Sequence, residues 1–304
     1  MLFDTPKIID TEVFTVLPEQ YRKKTVTAWS RANRGGAAVD SFLEGPSFDR
    51  DGNLYVTDIP HGRIFRISPN GEWEPVAEYD GEPNGLKIHK DGRIFITDYR
   101  NGLLTLDPAK GKAKAVLARR NSESFKGLND LFFATNGDLY FTDQGQTGMH
   151  DPTGRVYRQT PSGRLDCLLD NVPSPNGLVL SPEENVLFVA ATRDNAIWRG
   201  PLMPDRSLSK VGVFQRLFGM SGPDGLAMDD DGNLYVAHAS MGCVWVFDRR
   251  GIPILRVQSC KGDFITNMAF GWPDRRTLYM TESSTGSVLM ARMPISGRIM
   301  YSHT

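Results

Sequence analysis

Apolar and polar residues along this chain alternate in short runs broken by glycine turns, and the whole pattern recurs. Residues 44–58 read EGPSFDRDGNLYVTD, 84–98 read NGLKIHKDGRIFITD and 129–143 read NDLFFATNGDLYFTD. Residues 176–191 (NGLVLSPEENVLFVAA), 224–238 (DGLAMDDDGNLYVAH) and 267–282 (NMAFGWPDRRTLYMTE) repeat the unit, two of them with one extra turn residue. The lead residues Glu44, Asn84, Asn129, Asn176, Asp224 and Asn267 are spaced by 40, 45, 47, 48 and 43. Each unit begins with an apolar run, turns at a pair such as Asp51-Gly52 or Asn136-Gly137, and continues as an alternating strand. That is the signature of a β-hairpin. A third strand follows (Arg63–Ile67, Gly154–Gln159, Cys243–Phe247), then a further glycine turn and a fourth. Helical periodicity is nearly absent.

Four strands per unit of 40–48 residues predict an all-β, six-bladed propeller of antiparallel blades. A sandwich or a pair of barrels would not carry a sixfold register, and no unit has the paired G-H and W-D of WD40 repeats. The last unit runs out after its third strand, near Val288–Met293. An open sheet edge invites aggregation, so a strand within Thr11–Leu17 is expected to complete blade six. Residues 1–304 then form one domain: a closing strand and connector over about 1–40, and blades over about 41–295. The basic segment Tyr21–Ala38 reads as a connector lying over one face.

Composition narrows the function. The 304 residues are 40% hydrophobic and 23% charged, with a net charge of −1. This balance argues against a nucleic-acid partner. No run approaches the roughly 20 apolar residues of a membrane helix, and the N-terminus lacks the apolar core of a signal peptide. Cys167, Cys243 and Cys260 fit neither a disulfide framework nor a zinc site. A cytoplasmic monomer or small homo-oligomer is expected.

In a propeller the first strand of each blade lines the axis, so the six lead residues should form one ring of side-chain oxygens. Such donors suit a hard cation. Glu44 and Asp224 match a divalent charge, and Asn129 and Asn176 add neutral carbonyl oxygens. The competing reading is local: Asn and Asp before Gly are ordinary turn residues, and Asn84 and Asn267 fit that reading best. A second set at the ends of the second strands (Asp58, Asp98, Asp143, Ala191, His238, Glu282) should lie outside the ring on the same face. Its Thr-Asp pairs read as turn closers.

Leu43-Glu44-Gly45-Pro46, Leu128-Asn129-Asp130, Ser174-Pro175-Asn176-Gly177-Leu178 and Gly222-Pro223-Asp224-Gly225-Leu226 occur in order over residues 40–295. In these the chain resembles the SMP-30/gluconolactonase/luciferin-regenerating-enzyme family of six-bladed propellers, which includes sugar lactonases. The resemblance implies metal ligation by Glu44, Asn176 and Asp224, with Asn129 binding metal or substrate and Asp224 also carrying the proton. It implies a metal-dependent lactonase acting on a small-molecule lactone. Oxygen ligands favour calcium, and magnesium, manganese, zinc or iron(II) also fit the donor type. Animal sugar-lactonase members carry an arginine where this chain has Gly127, which weakens the case for a polyhydroxylated lactone. Met149 and His150, on a long loop at 144–154, are candidates for walling a substrate pocket. Two alternatives remain: phosphotriester or other ester hydrolysis at the same site, and a non-catalytic binding propeller.

Overall fold

The computed structural model describes residues 5–304, so the first four residues of the expected N-terminal region lie outside it. Six four-stranded antiparallel units follow one another along the chain, spanning 43–78, 83–117, 128–172, 175–216, 223–258 and 265–292. The innermost strands contact their neighbours in sequence, and the last (Ile265–Phe270) returns to the first (Leu43–Phe48), closing the ring. The fold is the expected six-bladed propeller. Glu12–Val16 pairs antiparallel with Ser287–Arg292 and supplies the outer strand of blade six, as its missing fourth strand required. Lys7–Asp10, which the sequence pattern did not reveal, adds a parallel fifth strand to the outer edge of blade five. The N-terminal segment therefore staples the last two blades together.

The Thr-Asp pairs have a double role. Each threonine reaches forward to the next blade: Thr57, Thr97 and Thr142 donate to the carbonyls of Asn84 (2.7 Å), Asn129 (2.5 Å) and Asn176 (2.9 Å). Each aspartate stays within its own blade. Asp58, Asp98 and Asp143 accept the backbone N–H of Phe42, Glu82 and Gly127, just ahead of their own inner strands. The repeated dipeptide thus fastens neighbouring blades and closes its own turn, all in buried positions where an unpaired group would cost about 1–3 kcal/mol.

Packing between inner strands leaves no room for a side chain immediately after most lead residues. A Cβ at Gly45 would lie 2.5 Å from the Asn84 carbonyl oxygen, and one at Gly177 would lie 2.6 Å from that of Asp224. These glycines set how tightly the ring closes.

At the far end of the axis the C-terminal tail forms a plug the sequence did not announce. Arg298 donates to the carbonyls of Leu180 and Ser181 and pairs with buried Glu184. Tyr301 stacks on Phe133, and His303 on Trp272 at 4.0 Å. Above the tail the channel narrows to a largely apolar void of ≈ 40 Å³.

Candidate active site

Every inner strand carries a β-bulge at the same place. On blade one, Leu43 faces Asp58 and Ser47 faces Tyr55, so the inner strand gains a residue at Glu44–Pro46. The same offset recurs after Pro83, Leu128, Pro175, Pro223 and Ile265. Bulges re-aim side chains and concentrate at functional sites; six in register converge on one end of the axis. Glu44, Asn84, Asn129, Asn176 and Asp224 occupy the equivalent position in five blades.

In blade six that position belongs to Thr266, one residue earlier than expected. Ile265 faces Glu282, and Met268 takes the apolar place held by Leu86, Leu131, Leu178 and Leu226. The longer turn at 271–276 concealed the slip. Thr266 bonds the carbonyl of Leu43 at 3.0 Å and helps close the ring. Asn267 therefore falls in the column otherwise held by glycine or Asp130, yet it still reaches the cluster. Its amide donates to Glu44 at 2.9 Å and approaches Asp130 at 3.4 Å.

Asp130 is the residue that sequence reasoning overlooked. It is fully buried, and its negative charge is felt by both Glu44 and Asp224. The available signal was an acid where four other blades have glycine. Two buried carboxylates, Glu44 and Asp130, and the partly buried Asp224 thus share one end of the axis, and none forms an ion pair with a described residue. Burial, and then the charge of Asp130, raises the Glu44 carboxyl from 4.5 to about 7. Burial followed by the charges of Glu44 and Asp130 holds Asp224 well above the usual carboxylate range. Burial likewise raises Asp130, partly offset by the ammonium of Lys87 below.

The amides are oriented. Asn129 donates from Nδ2 to Gln144 at 2.9 Å, and Gln144 donates onward to Ser174 at 3.0 Å, which leaves the Asn129 carbonyl oxygen free. The Asn176 side chain lies near Asp224 and favours its charged form. Among the described residues, no three histidine, cysteine, aspartate or glutamate side chains converge tightly enough to hold an ion by themselves. The amide oxygens must complete any coordination set. Three acids without ion pairs beside oriented amides fit a hard divalent cation, since without one the carboxylates repel at low dielectric.

The outer set behaves as turn chemistry. Glu282 accepts the N–H groups of Phe264, Ser284 and Thr285. Buried His238 accepts from Trp245 through Nδ1 at 3.2 Å, and burial lowers its pKa. The loop at 144–154 lies at the rim of the site. Met149 is 65% exposed and His150 is exposed, and neither side chain makes a hydrogen bond among the described residues. The position of Gly127 is closed: a Cβ there would fall 2.5 Å from the Tyr99 ring.

The model of the SMP-30/Gluconolactonase/LRE-like region matches residues 42–284, most of the chain. The chain belongs to this family. Its family relatives include the lactonase drp35 of Staphylococcus aureus, 33% identical over 245 residues, with 76% of this chain and 73% of the relative covered. Among solved structures, the calcium-binding protein regucalcin of Agrobacterium tumefaciens is similar with a TM-score of 0.79 and 21% identity, covering 99% and 100% of the two chains. A gluconolactonase of Xanthomonas campestris gives 0.75 and 22%, covering 93% and 98%. At these identities the two structures support the family's fold. No helix among the described residues is long and apolar enough to cross a membrane.

The raised carboxyls make a signed prediction for this SMP-30-family chain. A folded-state pKa above the ordinary value stabilises the protein at low pH, and that stability is lost as pH rises through the folded value. Glu44 marks the window, from 4.5 to about 7, and Asp130 and Asp224 shift in the same direction. The stabilisation given by a saturating divalent cation should therefore grow between about pH 5 and pH 8. Thermal melts with and without calcium across that range measure it.

Proposed function

We propose that this chain is a divalent-cation-dependent hydrolase of small lactones, acting in the cytoplasm as a monomer or small homo-oligomer. One observation carries the reading: the buried carboxylates of Glu44 and Asp130 and the partly buried carboxylate of Asp224 lie at one end of the propeller axis, with no ion pair to any of them among the described residues. The likeness to the staphylococcal lactonase supports the choice of a lactone as electrophile.

Glu44, Asn129, Asn176 and Asp224 would hold the cation, with Asp130 and Asn267 behind Glu44. Calcium is the best match to oxygen donors of this type. When bound, a divalent cation supplies electrophilic pull on the lactone carbonyl oxygen. The chain's own residues do the remaining work. Asp224 accepts a proton from the attacking water and returns it to the ring oxygen as the acyl–oxygen bond breaks. Asn129, fixed by Gln144, orients the substrate. The closed ring and the C-terminal plug keep bulk water from entering along the axis.

The test is hydrolysis of a lactone panel and a phosphotriester panel by protein that has been stripped with chelator and reloaded with single metals. Lactone turnover that disappears on stripping and returns with calcium is expected. Equal activity of stripped and reloaded protein contradicts cation dependence, and turnover confined to phosphotriesters contradicts the lactone assignment.

A further inference from the structure

The connector ahead of blade one seats an arginine on aromatic rings at the rim of the site. Its short helix, Ala28–Asn33, begins with a Thr27–Ser30 capping box and ends at Arg34. Trp29 packs against Phe42, the residue before blade one's inner strand, at 4.7 Å between rings. Phe42 in turn meets Phe264, the residue before blade six's inner strand, at 5.9 Å. The Arg34 guanidinium rests on this platform, 4.2 Å from the Phe264 ring centre and 4.9 Å from that of Phe42. The platform belongs to the rim between blades one and six, and the guanidinium charge acts on Asp224.

Two other basic groups of the connector are tied down, while Lys24 and Arg31 are exposed to solvent. Arg22 pairs with Asp40 and bonds the Thr285 carbonyl, and Lys23 pairs with Glu78. Arg34 is half-buried, yet among the described residues its guanidinium has no ion pair and no hydrogen bond. Burial works against its charge, while the aromatic faces hold it in place. Five N–H donors fixed in a planar fork and left unpaired suit a carboxylate, which a guanidinium binds through two parallel hydrogen bonds. A second arginine, Arg193, stands on the turn after blade four's second strand; its charge also reaches Asp224, and it likewise has no partner among the described residues. Cations therefore flank an acidic centre, an arrangement that leaves positive charge at the mouth once the carboxylates are neutralised.

We propose that Arg34 is a specificity determinant that binds a carboxylate on the substrate, assisted by Arg193, so that the preferred lactone carries a free carboxylate group. This rests on the lactone-hydrolase reading above and names the substrate class for that site. Arg34 acts on substrate recognition, and bond breaking is left to the axial residues.

The experiment compares gluconolactone with its glucaric-acid counterpart, in which a carboxylate replaces the terminal hydroxymethyl group, using calcium-loaded protein. Wild type should favour the carboxylated lactone by at least about tenfold in kcat/KM. Arg34→Gln should lose about 30-fold on the carboxylated lactone, mainly through KM, and about threefold or less on gluconolactone. Arg34→Lys should fall between them, because charge without the planar fork restores only part of the contact. Equal losses on both substrates, or a wild type indifferent to the carboxylate, overturn the proposal. Calorimetric titration with glucarate and gluconate at fixed free calcium keeps the two readings separable. If no lactone is opened, the lactone reading fails, and the titration still decides the role of Arg34. A glucarate preference lost in Arg34→Gln supports carboxylate binding, and equal affinities overturn it.

Discussion

Replacing Asp224 with Asn should lower kcat for lactone opening by about 10³-fold, within the range associated with loss of a positioned proton carrier. The shape of the side chain is retained. What disappears is the carboxylate that exchanges a proton with water and ring oxygen, together with one of the charges that attract the cation. The same change removes a carboxyl whose ionisation Glu44 and Asp130 oppose. The cation-free variant should therefore melt at a higher temperature than cation-free wild type. Activity and stability moving in opposite directions is the mark of a site kept under electrostatic strain for its chemistry. A structural role for Asp224 would make both fall. Steady-state kinetics with calcium and thermal melts in chelator distinguish the two outcomes.

Arg298→Ala should be the most destabilising single change, and it lies at the opposite end of the axis. Arg298 and Glu184 are both buried, and Arg298 also satisfies the carbonyls of Leu180 and Ser181 and covers the Phe132 ring at 5.2 Å. Breaking a buried pair by removing one partner costs about 3–5 kcal/mol, because the other charge stays behind. The melting temperature should fall by about 5–8 °C. Turnover at low temperature should survive, since the plug touches none of the axial carboxylates. A melting curve and a rate measured at low temperature are sufficient. A loss below about 1 kcal/mol would mean that the tail is not integral to the ring.

The sequence carried the propeller because repetition exposes what a single hairpin conceals. The turn pairs, the alternating strands and the absent fourth strand of blade six placed all six blades and located Glu12–Val16. It failed where the chain departs from the repeat. In blade six the long turn moved the alignment by one residue, so Asn267 stood in for Thr266. The apolar column of Leu86, Leu131, Leu178 and Leu226 would have corrected it by selecting Met268. Asp130 went unread because its column is glycine in most blades, and close inner-strand packing was not visible without coordinates. The parallel strand Lys7–Asp10 is short and half-exposed, with little apolar alternation to reveal it. The plug at 297–304 and the seat of Arg34 depend on stacking between distant rings, which no local pattern encodes.

At the candidate site, the residues picked out from the repeat and the family motifs, Glu44, Asn129, Asn176 and Asp224, occupy equivalent bulged positions around the axis. Met149 and His150 are exposed on the loop at the rim. Each inner strand supplies its own bulge, so the sequence could place the ring residues one blade at a time. A loop anchored by Gln144 and Thr147 has no such register, and its tip could not be placed from spacing.

Lactone opening as proposed requires a divalent cation held by Glu44 and Asp224. Calorimetric titration of chelator-stripped protein with calcium, on wild type and Glu44→Gln side by side, addresses this directly. One tight site per chain is expected, with proton release on binding that is largest below about pH 7, where the cation-free Glu44 carboxyl is protonated, and that falls as pH rises past it. In Glu44→Gln that affinity should drop by at least about tenfold. Undetectable calcium uptake by wild type at millimolar concentrations, or unchanged affinity in the variant, would contradict it.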